Sequence, residues 1–409
     1  MISRRFFTIA ALGSGLSACV GGVSGGGGGA SPSAPPRIVA NPAFDAWLAG
    51  FRDRAAVRGI SAGTMNAAFR HAGYIPEVIE KDRNQTEFSR TTEDYLNIAM
   101  SEERVSMGRQ RYAALRPVLS AIESRYGVEG HVVTAFWGLE SFYGTRQGNV
   151  PVVSALATLA FDGRRGAFFE QQLTAALRIL QAGDIAPDRM TGSWAGAMGH
   201  TQFIPTSFLE YAVDFTGDGH RDIWSSDPTD ALASTANYMK RAGWVHGLPW
   251  GMEVILPAGF DAGLLGRGKG RSAADWSGLG VRAAQGGGLQ SGSIIAPMGL
   301  ASPAFLLTQN FNAILRYNNA ENYALGVGTL SDRIRGGGPL VGTFGPDKAG
   351  MTKADRQELQ ERLTAAGYDT GGHDGVIGAK TKSAISAYQA ARGLAVTGEP
   401  SLDLLALLR

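Results

Sequence analysis

Apolar positions recur with helical spacing from residue 44 onward. Phe44, Trp47, Leu48 and Phe51 stand at i, i+3, i+4 and i+7, the stripe of an amphipathic helix facing a core. Ser61-Ala-Gly-Thr-Met65 reads as a cap that opens the next helix. The helical pattern runs to about residue 125 and resumes over 128–143. There Val132, Phe136, Leu139 and Tyr143 share one stripe, while Val133, Trp137 and Glu140 share its neighbour. Between about 244 and 297 the period fails. Val254-Ile-Leu256 and Ser293-Ile-Ile295 read there as short strands, set among Gly-rich loops at 263–270 and 286–288. Beyond a Gly/Pro-rich stretch at 336–350, Leu359, Leu363, Ile385, Leu394, Leu404 and Leu408 supply the core of a small three-helix unit. Asp374-Gly375 and Thr397-Gly398 punctuate it as turns. The pattern predicts a mainly α protein with a small β insertion and a separate C-terminal module.

The first forty residues follow a different logic. Ser3-Arg4-Arg5-Phe6-Phe7 suits an export signal, of the twin-arginine or the general secretory type, and the apolar run over 6–18 is too short for a permanent bilayer span. Leu16-Ser17-Ala18-Cys19 resembles the lipobox of bacterial lipoproteins, which implies Cys19 as the lipidated first residue of the mature chain. A Gly/Ser/Pro-rich stretch then reads as a flexible tether. The expected organisation is therefore an export signal over 1–18, a lipid-anchored tether over 19–40, a larger domain over 41–335, a linker over 336–350 and a small module over 351–409. Cys19 is the only cysteine, which excludes a disulfide framework and a cysteine metal site. A net charge of +2 over 409 residues offers no basic field for nucleic acid.

Candidate chemistry concentrates in two segments. Glu140 continues an apolar line near a helix end set by Gly144, where aromatic neighbours and the negative end of the helix dipole both disfavour ionisation. A carboxylic acid still protonated near neutrality can give its proton to a glycosidic oxygen. Some fifty residues later, Gly192, Gly196 and Gly199 stand among small residues, followed by Gln202 and Ile204-Pro205. Glycines at such spacing let backbone approach a bulky ligand, and Ser193 and Gln202 add hydrogen-bonding side chains.

Taken in order, Gly138-Leu-Glu-Ser-Phe-Tyr-Gly144, Ala155-Leu-Ala-Thr-Leu-Ala-Phe161 with Arg164-Arg165, Gly196-Ala-Met-Gly-His-Thr-Gln-Phe-Ile-Pro205, Tyr211-Ala-Val-Asp-Phe-Thr-Gly-Asp-Gly-His220, Ala236-Asn-Tyr-Met239 and Arg316-Tyr-Asn318 resemble the lytic murein transglycosylase B family. The resemblance covers about residues 40–335 and implies a lysozyme-like catalytic domain. It implies Glu140 as sole acid and base, and a glycan cleft lined by Ser193, Gln202, Tyr238, Tyr317, Asn318 and Tyr323. Arg164 and Arg165 would reach toward the peptide stem or lactyl group, and Tyr95 would touch the cleft. Ser141-Phe142-Tyr143 departs from the family motif, which commonly carries a Trp or basic residue just after the catalytic Glu. The last sixty residues are similar to a three-helix peptidoglycan-binding module.

Asp214, Thr216 and Asp218 occupy positions 1, 3 and 5 of a calcium-loop pattern, with Gly219 at position 6 and the carbonyl of His220 at position 7. Position 12 is Ser225, so the remaining carboxylate must come from further on. The family resemblance points to Asp230, with Asp227 as the competing choice. Calcium would be structural, since the chemistry requires no cofactor. A single acid suffices for a lytic transglycosylase because the muramyl 6-hydroxyl serves as nucleophile and yields a 1,6-anhydro product. A hydrolytic muramidase would need a second carboxylate, with Asp162 or Asp214 as candidates. A catalytically silent wall-binding lipoprotein is the third reading. The expected location is the periplasm of a Gram-negative bacterium, anchored by lipid at the outer membrane. Glycan strands of peptidoglycan are the expected partner, and wall-synthesis proteins are further candidates.

Overall fold

Residues 36–84, 91–347 and 349–409 are described by the computed structural model, so Cys19 and the export signal lie outside the described residues, as does the tether up to residue 35. Among the described residues, seventeen α-helices and six short strands make a mainly helical protein. Helix Pro42–Val57 opens where the Asn41 side chain accepts the N–H groups of Ala43 and Phe44. Ser61 caps helix Ala62–Phe69 by accepting from Thr64. Each cap satisfies amide donors that have no partner in the first turn. Phe44 and Phe51 are fully buried, and Trp47 and Leu48 pack beside them.

Two apolar clusters form the body of the larger unit. One gathers Phe44, Phe51, Leu156 and Phe208, and the other gathers Phe136, Trp137, Tyr323 and Leu330. Helix Gly130–Ser141 belongs to the second cluster and is buried on nearly every side, as expected of a helix whose apolar residues are not confined to one stripe. It packs chiefly against helix Glu321–Ile334. Both helices place glycine at close approaches: a Cβ on Gly138 would strike the Tyr143 ring, and one on Gly326 would meet Tyr95.

The β insertion is a four-stranded antiparallel sheet in the order Arg282–Ala283, Gly251–Ile255, Ala304–Leu307, Ser293–Ile295. The two strands expected from sequence lie in it. Ala304–Leu307, which completes it, is buried at every position and so lacks the alternation that marks a half-exposed strand. A second, two-stranded sheet pairs Val150–Pro151 with Thr191–Gly192 and brings the Gly-rich segment alongside the region that follows Glu140.

Helices Lys353–Ala365, Ala379–Ala391 and Leu402–Leu408 build the last unit. Its core holds Met351, Leu359, Leu363, Ile385, Tyr388, Leu404 and Leu405, with Leu408 packed at the edge. Leu394 corrects the expected core: it is exposed, because the turn after Ala391 carries it past the end of the helix, while Met351 and Leu405 fill the interior. This unit docks on helix Thr92–Ala99. Arg356, itself buried, pairs with Glu93, lies 3.6 Å from Asp94 and reaches Asp347 at 2.9 Å. Lys353 adds a bond to Asn97 at 3.0 Å.

Candidate active site

Glu140 lies one residue before the end of helix Gly130–Ser141 and is 9 % exposed. Burial pushes its carboxyl up to about 8, opposed by a hydrogen bond that Tyr323 donates to Oε1. The apolar wall is Phe136, one turn back, whose ring sits 4.8 Å from Tyr317 and 6.2 Å from Tyr323. Such an acid, protonated at neutrality with Oε1 held by a phenol, leaves Oε2 free to donate.

The helix ends in an unusual way. Phe142 and Tyr143 both take left-handed backbone angles, with φ of 50° and 57°, a conformation that costs bulky residues on the order of 1–3 kcal/mol each. Three contacts hold this turn. Arg104, buried, donates Nε to the Gly138 carbonyl at 3.2 Å. Its guanidinium lies 5.0 Å from the Phe142 ring, and Tyr143 donates its hydroxyl to the Arg104 carbonyl at 2.8 Å. Arg104 therefore places a positive charge at the negative end of the Glu140 helix. Its sequence context marks it out weakly, since it follows the exposed Glu102 and Glu103 on a largely polar helix, with only Val105 beside it turned to the core.

From Tyr323 an aromatic series leads away from the acid. Tyr317 lies parallel to Tyr323 at 6.4 Å, Tyr238 follows at 4.9 Å and Tyr211 at 4.3 Å. Hydroxyl bonds fix the members of the series: Tyr317 donates to the Thr201 carbonyl, and Tyr238 to the Arg316 carbonyl at 2.5 Å. Asn318, at the end of the Tyr317 helix, accepts the Ala320 N–H at 3.2 Å. Faces of this kind present the apolar surface on which sugar rings stack, with polar edges for their hydroxyls.

The Gly-rich segment folds on itself. Ser193 Oγ accepts the N–H groups of Ala195 and Ala197 at 3.3 and 3.1 Å, which leaves its own proton available. Gln202, with φ of 54°, donates its amide to the carbonyls of Gln147 and Gly199 at 3.0 and 2.8 Å. The Gln202 carbonyl oxygen remains available as an acceptor.

Of the remaining candidates, Tyr95 packs over Gly326 on the helix that carries Tyr323. Arg164 makes a bidentate pair with the buried Asp82, at 2.6 and 2.5 Å, so its guanidinium anchors helix Pro76–Arg83. Arg165 lies 4.5 Å from the Phe168 ring. Asp162 pairs with Arg83 at 2.7 Å.

One ligand oxygen each from Asp214, Asp218 and Asp230 lies within 4.8 Å of the others. Asp227 stands apart, bonded to Thr229. Thr216 Oγ1 turns to Asp214 at 3.3 Å, and the His220 N–H to Asp218 at 2.9 Å. Asp230 is buried and accepts the N–H groups of Phe215, Thr216 and Asp222. Burial raises its pKa, and the Asp214 charge adds to that effect. An all-oxygen set with mutual repulsion matches a hard cation such as calcium, which would relieve it.

The family model described as Transglycosylase SLT domain matches residues 43–332, and that of the Putative peptidoglycan binding domain matches 352–408. Membrane-bound lytic murein transglycosylase B of Escherichia coli (strain K12) is 34% identical over 217 residues. That match covers 51% of this chain and 58% of that protein, so the chain spans under two thirds of this relative's length. Among solved structures, SltB3 from Pseudomonas aeruginosa in complex with NAG-NAM-pentapeptide is 47% identical, with a TM-score of 0.72 over 90% of this chain and 100% of that one. The Escherichia coli lytic transglycosylase Slt35 in complex with calcium is 28% identical, with a TM-score of 0.61 over 72% of this chain and 93% of that one.

Proposed function

Because this chain belongs to the transglycosylase SLT domain family, we propose that it is a lytic transglycosylase of peptidoglycan that works with Glu140 as its only acid and base. The carrying observation is the buried Glu140 carboxyl, raised to about 8 and held on one oxygen by Tyr323. Glu140 gives its proton to the oxygen of the β-1,4 bond between N-acetylmuramic acid and N-acetylglucosamine, and the C1–O bond breaks as N-acetylglucosamine leaves. The acetamido oxygen shields the positive charge at C1. The Glu140 carboxylate then takes the proton of the muramyl 6-hydroxyl while O6 bonds to C1, which restores the acid and closes the 1,6-anhydro ring. No water is consumed. Asp162 and Asp214, the acids considered for a hydrolytic route, are engaged with Arg83 and with backbone amides of the acidic loop. Mass spectrometry of products from purified murein tests the reading: anhydromuramyl ends are lighter by one water than hydrolytic ends, and a majority of hydrolytic ends would overturn it.

Ser193, Gln202, Asn318 and the tyrosines 95, 238, 317 and 323 line the glycan path in this reading, while Arg164 and Arg165 border it. The module over 351–409 holds the enzyme to insoluble wall. Lipid on Cys19 anchors it at the periplasmic membrane surface, and Cys19→Ala should move the protein from the membrane fraction to the soluble one.

Asp214, Thr216, Asp218, His220 and Asp230 would hold calcium as a structural ion that steadies the loop and supplies nothing to proton transfer. A ligand that binds only the folded state raises stability by RT ln(1 + [L]/Kd). Millimolar calcium should therefore raise Tm saturably in metal-free protein, and Asp218→Ala should erase the increment. Identical melting with chelator and with calcium would remove the ion from the account.

A further inference from the structure

We propose that His200 is a positioning residue of the active site: its neutral imidazole joins the end of the Glu140 helix to the loop over 222–227. The inference rests on the reading of Glu140 as the acid. His200 is 4 % exposed and makes four ties, besides two longer contacts of its ring with the Gln147 amide. Trp137, one turn before Glu140, donates its indole Nε1–H to His200 Nδ1 at 3.0 Å. His200 Nε2 lies 2.6 Å from the Ser225 carbonyl. The His200 carbonyl accepts the Ser141 hydroxyl at 2.5 Å, and its N–H donates to the Ile223 carbonyl at 2.9 Å. Two of these ties reach the residues flanking the acid, and two reach the loop.

These partners permit one protonation state. Trp137 offers only a donor, so Nδ1 must carry a lone pair. Ser225 offers only an acceptor, so Nε2 must carry the proton. The neutral Nε2–H tautomer satisfies both. An added proton on Nδ1 would face the indole N–H and break the tie to the Glu140 helix. Burial also lowers the pKa of this histidine. The charged groups that face it are Asp222 and Asp227 on the loop, which favour the cation, and Arg111 on helix Glu102–Ala114, which opposes it.

The surroundings are shaped to admit the ring. Gly144, with φ of 84°, lies where a Cβ would fall 2.5 Å from Nδ1. Gly144 also donates its N–H to Ser141 Oγ at 2.9 Å, which aims that hydroxyl at the His200 carbonyl. The Gln147 amide nitrogen stands 3.4 Å from Nδ1 and 3.3 Å from Nε2, and with Nε2 protonated only Nδ1 can accept from it; the Gln147 backbone carbonyl is held by Gln202. The imidazole thus connects the helix of the acid, the loop that feeds Asp222 and Asp230, and a glycan-binding glutamine.

The test uses the full chain with purified murein. His200→Phe keeps the bulk and removes both polar ties, and kcat should fall about 10–100-fold with KM changed less than about 3-fold, the scale expected of a misplaced acid. His200→Gln can accept from Trp137 and donate to Ser225, and should recover most of the loss. The unsubstituted enzyme should lose kcat toward acid pH, below the ordinary histidine range, and His200→Gln should lack that acid limb while keeping the alkaline one. A purely structural residue would not move the limb. Nitrogen-15 spectra of the histidines, with His200 identified by its absence in His200→Gln, should show an unprotonated Nδ1 at pH 7. A protonated Nδ1, or an acid limb unchanged in His200→Gln, overturns the proposal. If His200→Phe does not fold, the glutamine variant and the spectra decide. The spectra need no turnover, so they separate failure of this inference from failure of Glu140 as the acid.

Discussion

Glu140→Gln should lower the rate of murein lysis by at least about 10³-fold, because the proposed mechanism puts both proton transfers on this one group and a glutamine can perform neither. The same substitution should stabilise the protein at neutral pH. An ordinary glutamate titrates near 4.5, while burial holds Glu140 at about 8. Between those values the folded state keeps a proton that the unfolded state releases, so the stability tied to this group is complete below 4.5 and declines as pH rises to about 8. At roughly 1.4 kcal/mol per unit, glutamine should gain about 3.5 kcal/mol at pH 7 and nothing below pH 4.5. Denaturant melts at pH 4, 7 and 9 measure this. Activity should fall as pH rises through about 8, where the acid is lost. Tyr323→Phe should move that alkaline limb upward, since the bond it removes favours the carboxylate. A Glu140→Gln protein that melts like the unsubstituted one at every pH would show that the carboxyl is not held in its protonated form.

Arg356→Met should release the C-terminal module from helix Thr92–Ala99 and cost about 3–5 kcal/mol, the range for removing one member of a buried ion pair. Arg356 serves three carboxylates, Glu93, Asp94 and Asp347, and also donates to the carbonyls of Gly375 and Met351. Its loss leaves Glu93, only 4 % exposed, without a counter-charge until the interface opens. Glu93→Gln keeps an acceptor and should be milder. Small-angle scattering should then report a longer particle, and proteolysis should cut near 336–350 sooner. Cleavage of short soluble glycans should be affected less than binding to insoluble sacculi. An unchanged scattering profile together with an unchanged Tm would mean that other contacts hold the module.

Much of this organisation follows from local pattern. The stripe through Phe44 and Phe51, the caps at Asn41 and Ser61, and the apolar line ending at Glu140 are statements about neighbours three or four residues apart, and helical geometry turns such spacing directly into shared faces. The placement of Glu140 among aromatic side chains was legible for that reason, as was the raised pKa that burial produces.

Tertiary packing decided the rest, because it determines which faces meet. Tyr323 bonds Glu140 from 183 residues away, and no periodicity in either segment encodes that pairing. Asp230 joins Asp214 and Asp218 while Asp227 turns to Thr229, a choice made by the path of the chain through the loop. Arg164 closes on Asp82 because a buried carboxylate draws the nearest guanidinium. Leu394 looks like a core residue by composition, yet it stands exposed beyond the end of its helix. Ala304–Leu307 pairs on both edges and is itself buried at every position, so alternation disappears. His200 carried no signal beyond its place in a Gly-rich run, since its tautomer is set by Trp137 and Ser225, brought to opposite sides of the ring only when the chain is folded.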